Sequence, residues 1–267
     1  MKTLYTLVIM TLISLSCLGQ DLDNPEYTGE YFSLEGALEL FKKSSTLEEF
    51  EQMINREDNN VNNLDLNNDN EVDYVLVNDI QEGDQHVIVL STYIKENDLQ
   101  DIATIGIEKT GEEMAILQIE GDTDLYGENA IFEPVESLEN NLENKERGGP
   151  SINNMLRQDL QVNVWFWPSV RFLYSPGYVV WHSPWKWRLY PNWWRPWKPK
   201  PFSVFHKRSA VYRVYHTRAP FRRVVVANRI YTPRRNHSTY IIHKNRHTKI
   251  IKAPKKKRVL KRRRIGG

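Results

Sequence analysis

The feature that most constrains this chain is the segregation of its charge. Residues 21–149 hold 33 Asp and Glu against 7 Lys and Arg, a net charge of −26. Residues 150–267 hold 28 Lys and Arg against the single acid Asp159, a net charge of +27. The formal net charge of +2 conceals this division. Asymmetry of this kind between halves marks a domain boundary and a basic segment that seeks a polyanion or neutralises its own chain. A polar run from Asn140 ends in Gly148-Gly149-Pro150, which places a linker at 137–150.

The first residues address the chain for export. Lys2 precedes an apolar run from Leu4 to Leu15, followed by Ser16, Cys17 and Gly19 ahead of Gln20 and Asp21. This is the pattern of a secretory signal peptide, residues 1–19, cleaved near Gly19. The run is shorter than the roughly 20 residues that span a bilayer. Ser14-Leu15-Ser16-Cys17 admits a lipoprotein signal as a second reading, with Cys17 lipidated. The expected location is periplasmic, outer-envelope or secreted. Cleavage at Gly19 removes the only cysteine and with it any disulfide, thiol nucleophile or thiolate metal site.

The acidic part, 27–136, reads as an α+β domain: two N-terminal helices, then an antiparallel β-meander. Ser33 caps Leu34 to Lys43, where Leu34, Ala37, Leu38 and Phe41 share one helical face. Thr46 with Glu49 forms a capping box for a second helix whose stripe is Leu47, Phe50, Met53 and Ile54. Beyond Arg56 the period falls to 2. Runs at Val72 to Ile80, His86 to Ile94, Ile102 to Glu108, Met114 to Ile119 and Ala130 to Val135 read as strands separated by polar turns. One sheet face is expected under the helices and the other, acidic, in solvent.

Between the helices and the first strand lies Asp65-Leu66-Asn67-Asn68-Asp69-Asn70-Glu71-Val72-Asp73. Asp65, Asn67, Asp69 and Asp73 put side-chain oxygens at loop positions 1, 3, 5 and 9, with the Glu71 carbonyl at position 7, the oxygen set a calcium ion takes. The loop resembles those of EF-hand and dockerin modules and of strand-flanked propeller loops. It lacks the acid at position 12, which is Leu76, and carries Asn70 where glycine is usual. Asn tolerates the left-handed turn. Weak calcium binding at about 10⁻⁴–10⁻³ M is the functional reading, and an Asn/Asp-rich turn that binds nothing is the alternative.

The basic half has two textures. A Trp/Pro-rich segment, 151–201, holds all eight tryptophans between Trp165 and Trp197, and its prolines interrupt helix and strand alike. A largely irregular, low-order basic tail, 202–267, follows, and its end from Lys255 reads as disordered. Candidate polyanion contacts are Trp185, Trp187, Arg188, Trp193, Trp194, Arg195 and Trp197, with Lys255, Lys256, Lys257, Arg258, Arg262, Arg263 and Arg264 at the terminus. Cations neutralise acidic groups while aromatic faces stack on rings. An anionic envelope polymer, a membrane surface and the chain's own acidic domain are three candidate partners, and a solvated extension without a partner is the fourth reading. Export argues against intracellular nucleic acid.

Signs of catalysis are few. There is no Gly-rich phosphate loop, HExxH or GxSxG. His243 and His247 sit among Lys244, Arg246 and Lys249, which repel a metal cation. His86 reads as structural, and the Asp122/Asp124 pair as an accident of an acidic domain. No small-molecule substrate is evident, and the expectation is a non-enzyme, a hydrolase of unknown type being the minor alternative.

Four phrases carry a likeness: Asn63-Leu64-Asp65-Leu66-Asn67 through Asp73-Tyr74, Ala103-Thr104-Ile105 with Glu108-Lys109, Asp124-Leu125-Tyr126-Gly127, and Pro176 to Trp181 running into Ser183-Pro184-Trp185. By these the whole chain resembles an uncharacterised family of exported proteins of Bacteroidota-type bacteria. The resemblance implies an envelope or secreted location and carries no activity or site residue with it. The helix pair and meander are similar in topology alone to PepSY-like and β-lactamase-inhibitor-like folds.

Overall fold

The computed structural model describes residues 25–135 and 162–244. The segments read from the sequence as a signal peptide (1–19, with Cys17) and a linker (137–150), and the terminal cations Lys255 to Arg264, lie outside the described residues. The fold is α+β, two helices followed by an antiparallel meander.

Helix α1 (Leu34–Lys43) starts where Gly36 N donates to Ser33 Oγ at 3.0 Å. Helix α2 (Leu47–Ile54) starts at Thr46, whose Oγ1 accepts from Glu49 N, while the Glu49 carboxylate reaches back to Ser45 N at 2.7 Å. Five strands follow: β1 (Leu76–Glu82), β2 (Gln85–Lys95), β3 (Asp98–Gly111), β4 (Met114–Gly121) and β5 (Ile131–Pro134), all antiparallel in sequence order. A short helix α3 (Thr123–Tyr126) links β4 to β5. Val77, Leu90, Ile88, Ile105 and Ile119 line up across β1 to β4 and bury against α1 and α2. The first strand starts at Leu76 rather than Val72. The backbone of 72–73 closes the preceding loop instead, with Asp73 N donating to Leu64 O and Val72 N to Trp197 O at 2.8 Å each.

The basic half is built into this body. Helix α4 (Pro168–Leu173) places Val170 and Leu173 in the main core, with Val164 and Trp167. Residues 181–183 cap the β1 edge: Asp79 N donates to Trp181 O, and Asn78 bridges His182. Strand β6 (His216–Arg218) extends the opposite edge by pairing with β5. An uncovered strand edge is an aggregation hazard, and here the basic half covers both.

Two expectations are corrected. The second sheet face is not in solvent, because helix α6 (Val225–Tyr231) packs Ala227, Ile230 and Tyr231 on Val87 and Val89. Gly106 permits this approach, since a Cβ there would stand 2.9 Å from Val224 Cγ2 and 3.0 Å from Ala227 Cβ. Nor is the described part of 202–267 of low order. Helix α5 (Phe202–Ser209), β6 and α6 follow one another, and residues 239–244 are helical. Short elements hid this order from a periodicity reading, since none exceeds 8 residues. No helix among the described residues is long and apolar enough to cross a membrane.

Candidate functional site

The loop 65–73 is wound by its own side chains. Asp65 Oδ1 accepts from Asp69 N and Oδ2 from Asn70 N, Asn67 Oδ1 accepts from Asp69 N, and Asp69 Oδ1 accepts from Glu71 N. Asn68 and Asn70 both take left-handed φ, 60° and 66°, so Asn70 makes the sharp turn that glycine makes at this place in an EF-hand. Asp73 is buried, and its Oδ2 holds Leu66 N at 2.7 Å. Burial, with Asp65 and Asp69 nearby, pushes its carboxyl well above the ordinary value, and burial raises Asp65 as well. The donors are hard oxygens, the class calcium prefers. Among the described residues, however, no three His, Cys, Asp or Glu side chains stand together as a metal-holding group. Lys244 adds a cation from the far end of the chain, its Nζ 2.9 Å from Asn68 Oδ1.

The tryptophan contacts divide into core and surface. Trp194 is buried, edge-on to Tyr74 with ring centroids 5.1 Å apart, and half-buried Trp185 and Trp197 join the same cluster. Trp194 is therefore not the partner-facing residue the sequence suggests. Its neighbours differ. Residues 186–189 form a tight turn closed by Leu189 N donating to Lys186 O, with Arg188 at φ 61° and its guanidinium over the Trp187 ring. Leu189 is 67% exposed and Trp193 49%. Lys186, Arg188, Arg195 and Lys198 are exposed and make no ion pair among the described residues.

Further along, the basic half meets the acidic sheet. Arg222 pairs with Glu120 through both carboxylate oxygens, Arg223 with Glu133 at 3.2 Å and Arg234 with Glu82. Arg235 grips Asp122 with two bonds and Asp124 with a third at 2.6 Å. The Asp122/Asp124 pair is thus an arginine socket. Next to it, buried Asp101 accepts from Ser91 Oγ, Tyr231 OH and Asn236 N, each at 2.8 Å.

One buried group, Glu51, escaped the sequence reading, and His86, which reads there as structural, is packed inside the fold. Glu51, 2% exposed, accepts from Tyr74 OH, Ser183 Oγ and Val77 N, tying α2, β1 and the tryptophan segment together. Burial pushes its carboxyl up to about 7. The signal was present: position 51 falls on the apolar stripe with Leu47, Phe50 and Ile54. His86, wholly buried, lies with Nδ1 2.8 Å from Asp79 Oδ2, which also accepts from Tyr178 OH. The side chains of His86 and Asp79 have no exposed surface, while Tyr178 is half-buried above them.

Compared with protein-family models, with curated proteins and with solved structures, the chain matches none.

Proposed function

We propose that the protein is an exported, non-catalytic binding protein whose segment 185–198 engages anionic envelope polymers or lipid headgroups. One observation carries this reading. Arg222, Arg223, Arg234 and Arg235 face carboxylates of the acidic half, whereas Lys186, Arg188, Arg195 and Lys198 make no ion pair among the described residues and lie beside exposed Leu189 and Trp193. Cations left in water next to aromatic faces suit a polyanion, with counterion release giving affinity and stacking adding about 1–3 kcal/mol per ring. The terminal cations Lys255 to Arg264 would add to the attraction. The test is co-sedimentation of the mature protein with phosphatidylglycerol vesicles and with an acidic polysaccharide at 50 and 200 mM salt. Binding that falls steeply with salt is expected, and its absence at 50 mM salt would overturn the reading.

The loop 65–73 is assigned weak calcium binding, in which Asp65, Asn67, Asp69, Asp73 and the Glu71 carbonyl would hold the ion and draw the loop closed. Calorimetry of the mature protein at millimolar calcium tests this, and a silent titration removes it. A second reading draws on the same arginine sockets: in trans, between copies, they would make the protein a self-assembling structural component of the envelope. Sedimentation at low and high salt without added polymer separates the two, because assembly needs no outside partner.

A further inference from the structure

A groove of about 480 Å³ opens where the acidic and basic halves meet, at the end of the molecule formed by α3, β5 and α5. Its volume is in the range of ligand clefts. Phe32, Phe132 and Phe205 give it an apolar floor, and Glu26, Glu30, Glu35 and Glu128 stand around it. Two guanidinium groups line it too. Arg213 lies against the His206 ring and 4.0 Å from Glu35, and Arg218 donates to Asn129 O. Four carboxylates against two guanidinium groups leave the groove negative. The Tyr27 hydroxyl registers that field, its pKa raised by Glu26 foremost and by Glu128 and Glu30 as well.

The chain carries a matching occupant. Beyond Lys244 the sequence continues for 23 residues that hold eleven Lys and Arg and no acid, with Lys255-Lys256-Lys257-Arg258 and Arg262-Arg263-Arg264 as its two clusters. Val259 and Leu260 lie between those clusters and supply apolar side chains for an aromatic floor. Lys255 lies eleven positions beyond Lys244, a reach of about 36–40 Å when extended. Lys244 Nζ lies 3.5 Å from Leu66 O, and Asn62, four residues before Leu66, is bridged to Phe32 in the floor of the groove, so the cluster can reach its own groove. A tethered segment also competes at an effective concentration near millimolar, well ahead of a second copy at cellular dilution. We propose that this groove holds the chain's own basic terminus, residues 255–264. The contact withholds those cations from outside anions at low salt and yields them to a competing polyanion. It does not depend on the reading of residues 185–198.

The test uses the full mature chain at low salt. Zero-length carbodiimide cross-linking should join Lys255, Lys256 or Lys257 to Glu26 or Glu128 in the monomeric fraction. Cross-links from these lysines only to other acids, or confined to a dimeric fraction, would overturn the proposal. A second readout guards against chance proximity. Glu26 and Glu128 are exposed, so a Glu26→Gln/Glu128→Gln variant keeps the fold. Trypsin should cut after Lys255 to Arg258 about three- to tenfold faster in that variant, as expected for removing two exposed ion pairs. An unchanged cleavage rate overturns the proposal equally.

Discussion

Residues 183–198 and 213–238 share a composition of arginine, lysine and aromatic residues and have opposite electrostatic fates. In the later stretch four arginines are matched to carboxylates of the acidic half: Arg222 with Glu120, Arg223 with Glu133, Arg234 with Glu82, and Arg235 with Asp122 and Asp124. In the earlier stretch the aromatic rings enter the body while the cations stay outside, as with buried Trp194 beside exposed Arg195. The later stretch crosses the outer sheet face, where Gln118, Glu120 and Glu108 point, whereas the earlier one packs its Trp194 and Tyr190 on Tyr74, Leu76 and Tyr93. A basic segment therefore becomes scaffold or surface according to what the acidic domain offers beneath it.

The comparison breaks most visibly at Arg235. Replacing it with alanine leaves Asp122, whose side chain is 2% exposed, without its cation. Removing one partner of a buried pair costs about 3–5 kcal/mol. We expect the lower end, about 3 kcal/mol, because Arg235 is itself 27% exposed. Urea unfolding of Arg235→Ala measures it, and a loss below about 1 kcal/mol would mean that the 213–238 stretch is not scaffold.

Glu51 gives the next effect, and its sign follows from proton binding. Folded Glu51 titrates at about 7 against an ordinary 4.5. Between those pH values the folded state keeps a proton that the unfolded chain has released, so stability falls as pH rises through this window. The stabilisation is full below about pH 4.5, and about 2–3 kcal/mol of it has been lost by pH 7. Burial raises Asp101 and Asp122 in the same direction, so Glu51→Gln should flatten part of the slope. Unfolding free energies of both proteins from pH 4.5 to 8 check this, and parallel curves would refute it. Since Ser183 reports to Glu51, the tryptophan segment should loosen along with the drop.

Gly106 probes how closely the later stretch must approach. Alanine there would stand 2.9 Å from Val224 Cγ2 and 3.0 Å from Ala227 Cβ, close enough that a neighbour must shift, and overpacking of this kind costs about 1–3 kcal/mol. An expected loss of about 1–2 kcal/mol, restored in part by Val224→Ala, would place the strain between β3 and α6. A neutral Gly106→Ala would mean that α6 packs more loosely than its contacts imply.

The helix pair and the meander were legible because long apolar runs with caps leave few alternatives: Ser33 and Thr46 cap their helices, and the run His86 to Ile94 forms a strand, buried on both faces rather than one. The role of the basic half was not legible. Strand β6 is three residues long, His216–Arg218, and α6 is seven, too short for a period to stand out. Their place is set by partners more than 80 residues away, such as Glu133 for Thr217 and Gln118 for the Arg223 amide. Charge count pointed to neutralisation without saying which cations would pair. At the loop, the Asx pattern and the left-handed Asn70 could be read from spacing, whereas the approach of Lys244 from 176 residues away could not.

The smallest effect on the fold should come from the earlier stretch, and there the contrast with Arg235 is sharpest. Arg188→Gly and Arg195→Gln remove two exposed cations that make no ion pair among the described residues. Glycine also suits the left-handed backbone at 188, where φ is 61°. Stability should change by less than about 0.5 kcal/mol, as for ordinary surface substitutions. Affinity for phosphatidylglycerol vesicles or for an acidic polysaccharide should nonetheless drop, and the slope of log affinity on log salt should fall by roughly two, one for each contact removed. Trp193→Ala should weaken binding by about 1–3 kcal/mol with little change in that slope, because stacking releases no counterion. If the double variant binds as before while a chain lacking 255–264 does not, the terminus alone attracts the polyanion and the exposed cations of 185–198 are only solvated surface.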